Sequence, residues 1–325
     1  MKVLVVGGAG YVGGAVTDLL LERKHETRVF DALFYEESYR KPIDFICGDV
    51  RLPENLRPQL AWADAVIWLA ALVGDGACAL NPEVSAAINR DSVGWLAENF
   101  GGRIVFMSTC SVYGAQDQVL DETSPVNPLS VYAATKLAAE GYLRDKNAIV
   151  FRLGTLFGVG DLFSRIRLDL VVNTLTVRAH RHGQISVFGG DQFRPLLHVA
   201  DAALAAVNNL ETDVRGIFNL QRQNVRIIDL ACQVRNHFPD LVIETTPMKF
   251  QDARNYRVSS EKARAAFGFW PTRSIDDGIV EIKRLLDGGR LSDVENPRYT
   301  NQAFLSRFSP HVKIAGAAAA AAGGA

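Results

Sequence analysis

The sequence predicts an α/β fold built on a doubly wound parallel sheet, and three observations lead there. Short apolar runs of strand length recur through the first half of the chain, at residues 2–6, 27–30, 44–47, 65–69, 103–107 and 148–151. Stretches of helical length and period lie between them, at 13–24, 84–100 and 131–145. A glycine-rich turn, Gly7-Gly8-Ala9-Gly10-Tyr11-Val12-Gly13, joins the first strand to the first helix. Parallel strands need a crossover connection, so strands that alternate with helices place a parallel sheet between two helical layers.

Taken in order, Val3-Leu4-Val5-Val6 is apolar on both faces, as a strand covered by helices on each side must be. The opening MKVLVVGGAG has the charge and apolar run of a secretory leader, but the run stops at glycine after one strand's length, so a buried strand is expected. Glycines at 8, 10 and 13 then sit where a strand turns into a helix. In that context they permit a tight turn and let backbone amides approach a pyrophosphate at the helix N-terminus, the arrangement of a Rossmann-type fold. The second strand ends at Asp31, 18 residues past Gly13, where a carboxylate accepts both ribose hydroxyls of a dinucleotide and repels a 2′-phosphate. That reading favours NAD over NADP. Asp31 also reads as a turn or cap residue, and Asp49 in Gly48-Asp49-Val50, after the third strand, reads either as a partner for an adenine amino group or as a turn former.

Tyr132-Ala133-Ala134-Thr135-Lys136 sets a phenol and an ammonium one helical turn apart on one face. The ammonium is expected to favour the phenolate and draw Tyr132 below its reference value of about 10, making it an acid or base usable near neutral pH. Proton transfer at a carbinol is the chemistry such a pair supports. A tyrosine alone on a helix is usually an edge-of-core ring and a lysine alone a solvated one, so the conjunction carries the reading.

After about residue 152 the regularity breaks into Arg/Leu-rich and Pro-bearing segments, which suggests a smaller, mixed α/β substrate lobe across the carboxyl edge of the sheet. The expected division is a nucleotide-binding domain over 1–165 with returning segments near 186–230, a substrate lobe mainly over 166–310, and an Ala/Gly tail over 311–325. Lys plus Arg number 35 against 36 for Asp plus Glu, so no net field draws the chain to nucleic acid or an anionic membrane. No apolar block is long enough to span a bilayer. The four cysteines form no Cys-x-x-Cys pair, which argues against a metal knuckle or a disulfide framework and for a reducing cytoplasm.

With the glycine loop, Asp31 and the Tyr-x-x-x-Lys step together, residues 1–290 resemble an extended short-chain dehydrogenase/reductase of the nucleotide-sugar epimerase/dehydratase branch. The resemblance implies that Gly7, Gly10, Tyr11, Val12, Gly13, Asp31, Asp49, Val50, Leu69, Ala70, Ala71, Asn89, Tyr132 and Lys136 hold NAD. It implies a catalytic trio of Thr109, Tyr132 and Lys136: Thr109 bonds the reacting sugar oxygen, Tyr132 is the acid/base, and Lys136 binds nicotinamide-ribose hydroxyls and holds Tyr132 ready. Thr109 also reads as a β-branched strand former. For the substrate, Arg194 in Arg194-Pro-Leu-Leu-His198-Val-Ala-Asp201 matches an arginine that contacts the nucleotide diphosphate. Arg254, Asn173 and Ser111 fall at further substrate positions, and the segments 74–81 and 156–167 line the sugar pocket. Arg194 also reads as a surface arginine near a helix start, and His198 as structural.

Departures narrow the reaction. Sugar dehydratases of the branch carry an Asp-Glu pair after the catalytic Thr, where this chain has Cys110-Ser111. Enzymes that epimerise C3 and C5 often carry a Cys where this chain has Ser111; Cys110 is offset by one and reads as a small buried hydrophobe. What remains is a 4-epimerase acting on a UDP- or dTDP-hexose through a transient keto sugar, with a keto-sugar reductase or a non-catalytic NAD-binding protein as alternatives. The resemblance also implies a homodimer through a four-helix bundle of the segments 84–100 and 131–142.

Overall fold

Runs of Val, Leu, Ile and Phe that are apolar on both sides become strands with both sides covered. The computed structural model describes residues 1–161, 165–246 and 255–307. Its largest sheet has seven parallel strands: β1 (Lys2–Val6), β2 (Glu26–Asp31), β3 (Asp44–Cys47), β4 (Ala65–Trp68), β5 (Arg103–Thr109), β6 (Ala148–Leu153) and β7 (Gly216–Leu220), in the order β7-β6-β5-β4-β1-β2-β3. The order reverses between β1 and β4, which opens a crevice at their carboxyl ends.

Alternation along each strand divides the core in two. Val3 and Val5 join Val29, Ile67 and Val105 beneath Val16 and Leu20 of helix Tyr11–Glu22 and the alanines of helix Val199–Asn208. Leu4 and Val6 join Phe30, Trp68 and Phe106 beneath Leu56 of helix Pro53–Trp62, Leu96 of helix Ser92–Asn99 and Ala139 of helix Val131–Tyr142. The expected helix over 84–100 is interrupted: Pro82–Ala86 and Ser92–Asn99 flank a π turn, Ala87–Asp91, that carries Asn89. Ser130 caps helix Val131–Tyr142 by accepting from the Ala133 amide.

Past β6 the chain enters a second lobe. A three-stranded sheet (Gln223–Arg226, Phe193–His198, Thr155–Phe157) and a two-stranded one (Val242–Thr246 with Gln184–Phe188) pack with helices Val171–His182, Ile227–Arg235 and Ile275–Asp287 around Val172, Leu230 and Ile279. The chain also returns: helix Val199–Asn208 lies against helix Tyr11–Glu22, and β7 pairs with β6. Among the described residues no helix is long and apolar enough to cross a membrane.

Candidate functional site

The crevice is walled on one side by the glycine loop. Gly7 has φ +87, and a Cβ there would meet the Ala70 amide nitrogen at 2.4 Å; a Cβ on Gly13 would meet the Gly8 carbonyl at the same distance. Both positions therefore require glycine for backbone-to-backbone approach. Helix Tyr11–Glu22 begins here with no side-chain cap on Gly10 and no acidic residue in its first turn. Its first amides and the positive end of its dipole face an anion-sized space. Gly7, Gly10, Tyr11, Val12, Gly13, Leu69, Ala70 and Ala71 all line the pocket, as do Asp31, Asp49 and Val50.

Asp31 closes one end. Its carboxylate accepts from the Ala9 amide (3.0 Å) and the Leu33 amide (2.7 Å), so it fixes the glycine loop and its own turn while facing the pocket. Asp49 is gripped by Arg51 at 2.6 Å and by the Arg51 amide at 2.9 Å, an ion pair within a turn. Asn89, expected at the cofactor, lies behind the pocket wall. It is 1% exposed, and its amide both accepts from the Leu72 amide and donates to the Leu72 carbonyl at 2.8 Å, so it clamps the strand end that lines the pocket.

At the other end stand Tyr132, Lys136 and Ser108. Thr109, the last residue of β5, is buried beside them; its hydroxyl caps the turn Cys110–Tyr113 by accepting from the Ser111 amide at 3.1 Å. The structure corrects the expected electrostatics of the pair. Burial holds the Tyr132 phenol above its ordinary range, and the groups that ease its ionisation are the nearby Thr109 hydroxyl and the charge of Arg167. Lys136 does not offset this. Its ammonium lies 4.1 Å from the Phe106 ring centroid, 3% of the residue is exposed, and burial pushes it down to about 7, with Glu140 one turn on working the other way. Glu140 is itself held by Arg152 at 2.7 Å and by the Ser108 hydroxyl at 2.5 Å, and Arg152 donates to Tyr113. This buried network fixes the floor under Lys136.

Cys110 is fully buried, its thiol directed to the Arg152 carbonyl at 3.2 Å, and burial raises it well above the usual thiol range, so it takes no part in the pocket's acid–base chemistry. Ser111 lies 3.4 Å from the Tyr256 hydroxyl, outside the pocket wall.

In the second lobe, Asn173 is fully buried. Its side chain is used on Gly158 N (3.0 Å), Gly158 O (3.1 Å) and Arg167 O (2.8 Å), and it is absent from the pocket wall. Arg194 is 7% exposed on strand Phe193–His198 and donates to the Phe193 carbonyl at 2.9 Å; it does not line the pocket. Arg254 lies outside the described residues. His198 is structural, capping helix Val199–Asn208 and bonding Glu281 at 2.9 Å. Sequence reasoning missed Tyr35, Arg165, Arg167 and Asn301, which complete the wall opposite the glycine loop. The only signal for them was the close-set Arg165-Ile166-Arg167-Leu168-Asp169.

A sequence model described as the NAD dependent epimerase/dehydratase family matches residues 3–220. A UDP-glucose 4-epimerase of Corynebacterium glutamicum is 29% identical over 315 residues, spanning 86% of this chain and 94% of its own length. One from Streptomyces lividans is 30% identical over 308 residues, spanning 84% and 92%. The solved UDP-glucose 4-epimerase of Thermotoga maritima with UDP-glucose superposes with a TM-score of 0.78 at 23% identity, over 89% of this chain and 99% of that one, a likeness of fold.

Proposed function

The chain belongs to the NAD dependent epimerase/dehydratase family, and we propose that within it the protein is a UDP-hexose 4-epimerase. The observation that carries this reading is the meeting of Thr109, Tyr132 and Lys136 at one end of a pocket whose other end is Asp31. Relatives of that activity that match over nearly their whole length support it.

The pocket fits a dinucleotide. An uncapped helix N-terminus suits a diphosphate, Asp31 suits a ribose diol, and two buried polar atoms on the wall, Tyr35 Oη and Asn301 Oδ1, lack a hydrogen-bond partner among the described residues. NAD bound there supplies a hydride acceptor that can return the hydride. Tyr132 takes the proton of the sugar 4-hydroxyl and, once the keto sugar has turned over in the pocket to present its other face for reduction, gives the proton back to the 4-oxygen. Thr109, beside the phenol at the end of β5, donates its hydroxyl to that oxygen and steadies it while the proton moves. Lys136, with the Glu140–Arg152 network beneath it, presents its ammonium to the nicotinamide-ribose hydroxyls, an environment that restores its charge. Arg194 holds the substrate diphosphate from the second lobe.

The active unit is a homodimer through helices Ser92–Asn99 and Val131–Tyr142. Tyr142, 46% exposed, packs its ring over Gly94 to join these two faces into one surface. The protein works in the cytoplasm, a reading that rests on the scattered spacing of its cysteines.

The test is to incubate the purified protein with UDP-galactose, and with nucleotide-linked 4-keto-hexoses, each with and without added NADH. UDP-glucose should form catalytically. Stoichiometric NADH demand identifies a reductase, and no conversion of any UDP- or dTDP-hexose leaves only a binding protein.

A further inference from the structure

The pocket wall also carries two buried guanidinium groups to which the epimerase chemistry assigns no ligand contact. Arg165 is 5% exposed and Arg167 9%, and both line the pocket. Buried cations require compensating anions. Only part of that compensation comes from the protein. Arg167 Nε donates to Asp169 at 2.9 Å, and its two terminal nitrogens have no acceptor among the described residues. Arg165 uses Nε and one terminal nitrogen on a single carbonyl, that of Arg298, at 3.3 and 3.2 Å. The nearby carboxylate of Glu36 is already engaged by Arg298 at 2.6 Å. Two cations therefore share one carboxylate, Asp169, which also accepts from the Asn301 amide at 2.8 Å.

Their positions say where the missing anion lies. Arg165 stacks 3.4 Å from the centroid of Tyr35, on the turn that leaves β2 four residues after Asp31. Arg167 stands 6.0 Å from the Tyr11 ring, on the first residue of the uncapped helix. The pair thus flanks the middle of the path from Asp31 to Tyr132, where a dinucleotide carries its two negative charges. Neither arginine is free to swing away: Asn173 holds the Arg167 carbonyl at 2.8 Å, and Asn301 anchors Asp169 while donating to the Val73 carbonyl at 2.6 Å.

We propose that Arg165 and Arg167 form the second jaw of the cofactor diphosphate site, so that the diphosphate is held between the helix N-terminus and two fixed guanidinium groups. A planar fork of donors on phosphate oxygens is the contact for which arginine is suited. Two consequences follow: NAD is retained through turnover and purification, and its affinity falls with salt more steeply than a glycine loop alone would give. The missing acceptors of Arg167 and the shared carboxylate are both satisfied by this one ligand.

The experiment titrates the full chain, stripped of nucleotide, with NAD, ADP-ribose, UDP and adenosine by calorimetry, for the native protein and for Arg167→Gln and Arg165→Gln. The expected result is that NAD and ADP-ribose weaken by about tenfold or more in each variant, while adenosine and UDP change by less than about twofold. Unchanged ADP-ribose affinity overturns the proposal. So does a loss confined to UDP, which assigns the arginines to the substrate. Should adenosine binding also fall, showing damage to the fold, Arg167→Lys is read instead: it keeps the charge and loses the fork, and ADP-ribose should weaken by about threefold or more with adenosine unaffected. Native affinity in that variant overturns the proposal. The inference rests on the dinucleotide reading of the pocket, and the two fail differently: a native chain that binds adenosine but neither NAD nor ADP-ribose removes that reading, whereas equal ADP-ribose binding with and without the arginines removes only this one.

Discussion

Replacing Lys136 with methionine removes a buried ammonium while keeping most of the side chain's length, and the cofactor-free protein should become more stable as a result. In the unfolded chain this lysine keeps its proton up to a pH of about 10.4. In the folded chain, 3% exposed and seated over Phe106, it releases the proton at about 7. Between those values the unfolded state binds more protons than the folded one, so the unfolding free energy contributed by Lys136 rises with pH across that window and is flat below it. The full penalty, at acid pH, is the difference of 10.5 and about 7, or about 3.5 units, at about 1.4 kcal/mol each, or about 5 kcal/mol. Glu140 limits it, because its carboxylate favours the charged form. Urea unfolding of both proteins, freed of nucleotide, at pH values of about 7 and about 9 isolates the term, since other titrations cancel in the difference. Lys136→Met should be the more stable at the lower pH, and the native protein should close the gap by about 2 kcal/mol at the higher. A difference that is flat with pH, or a native protein that gains relative stability as pH falls, would show that Lys136 is solvated and that the floor described here is wrong.

Three further outcomes follow from the same geometry. Tyr132→Phe should retain NAD and UDP-sugar binding and lose turnover by about a hundredfold or more, measured as kcat; near-native kcat removes Tyr132 from the proton path. Asp31→Ala should weaken NAD by about tenfold and narrow the preference over NADP in paired titrations, because the amides of Ala9 and Leu33 lose their acceptor along with the ribose. Arg194→Ala should raise KM for the nucleotide sugar by about tenfold or more with NAD affinity unchanged, and calorimetry with UDP that shows no loss takes Arg194 out of the substrate site.

Much of the nucleotide lobe was legible in the sequence because burial on both faces leaves a mark that needs no partner: Val3 to Val6 reads as a covered strand wherever it is placed. β7 left no such mark. Its Gly216-Ile-Phe-Asn-Leu is short and carries Asn219, whose oxygen accepts from the Tyr113 hydroxyl at 2.8 Å inside the sheet, a tertiary fact. The same limit governs the polar residues. Asn89 and Asn173 stood at the right spacing for ligand contact, yet spacing cannot tell a ligand from a neighbouring backbone, and both clamp backbone. Helical periodicity put Lys136 on the face of Tyr132 but could not foresee that β5 offers Phe106 to its ammonium. Arg165 and Arg167 escaped notice for the opposite reason: arginines in a polar stretch look solvated until a second segment, here 298–301, folds over them.

The central claim, that hydride leaves and returns to the same sugar carbon within one pocket, is tested most directly with UDP-galactose deuterated at C4. UDP-glucose should keep the deuterium at C4 and form without NADH in solution, with none of the label passing to added NAD. Loss of deuterium to solvent or to free cofactor, or product that appears only as NADH is consumed, contradicts it.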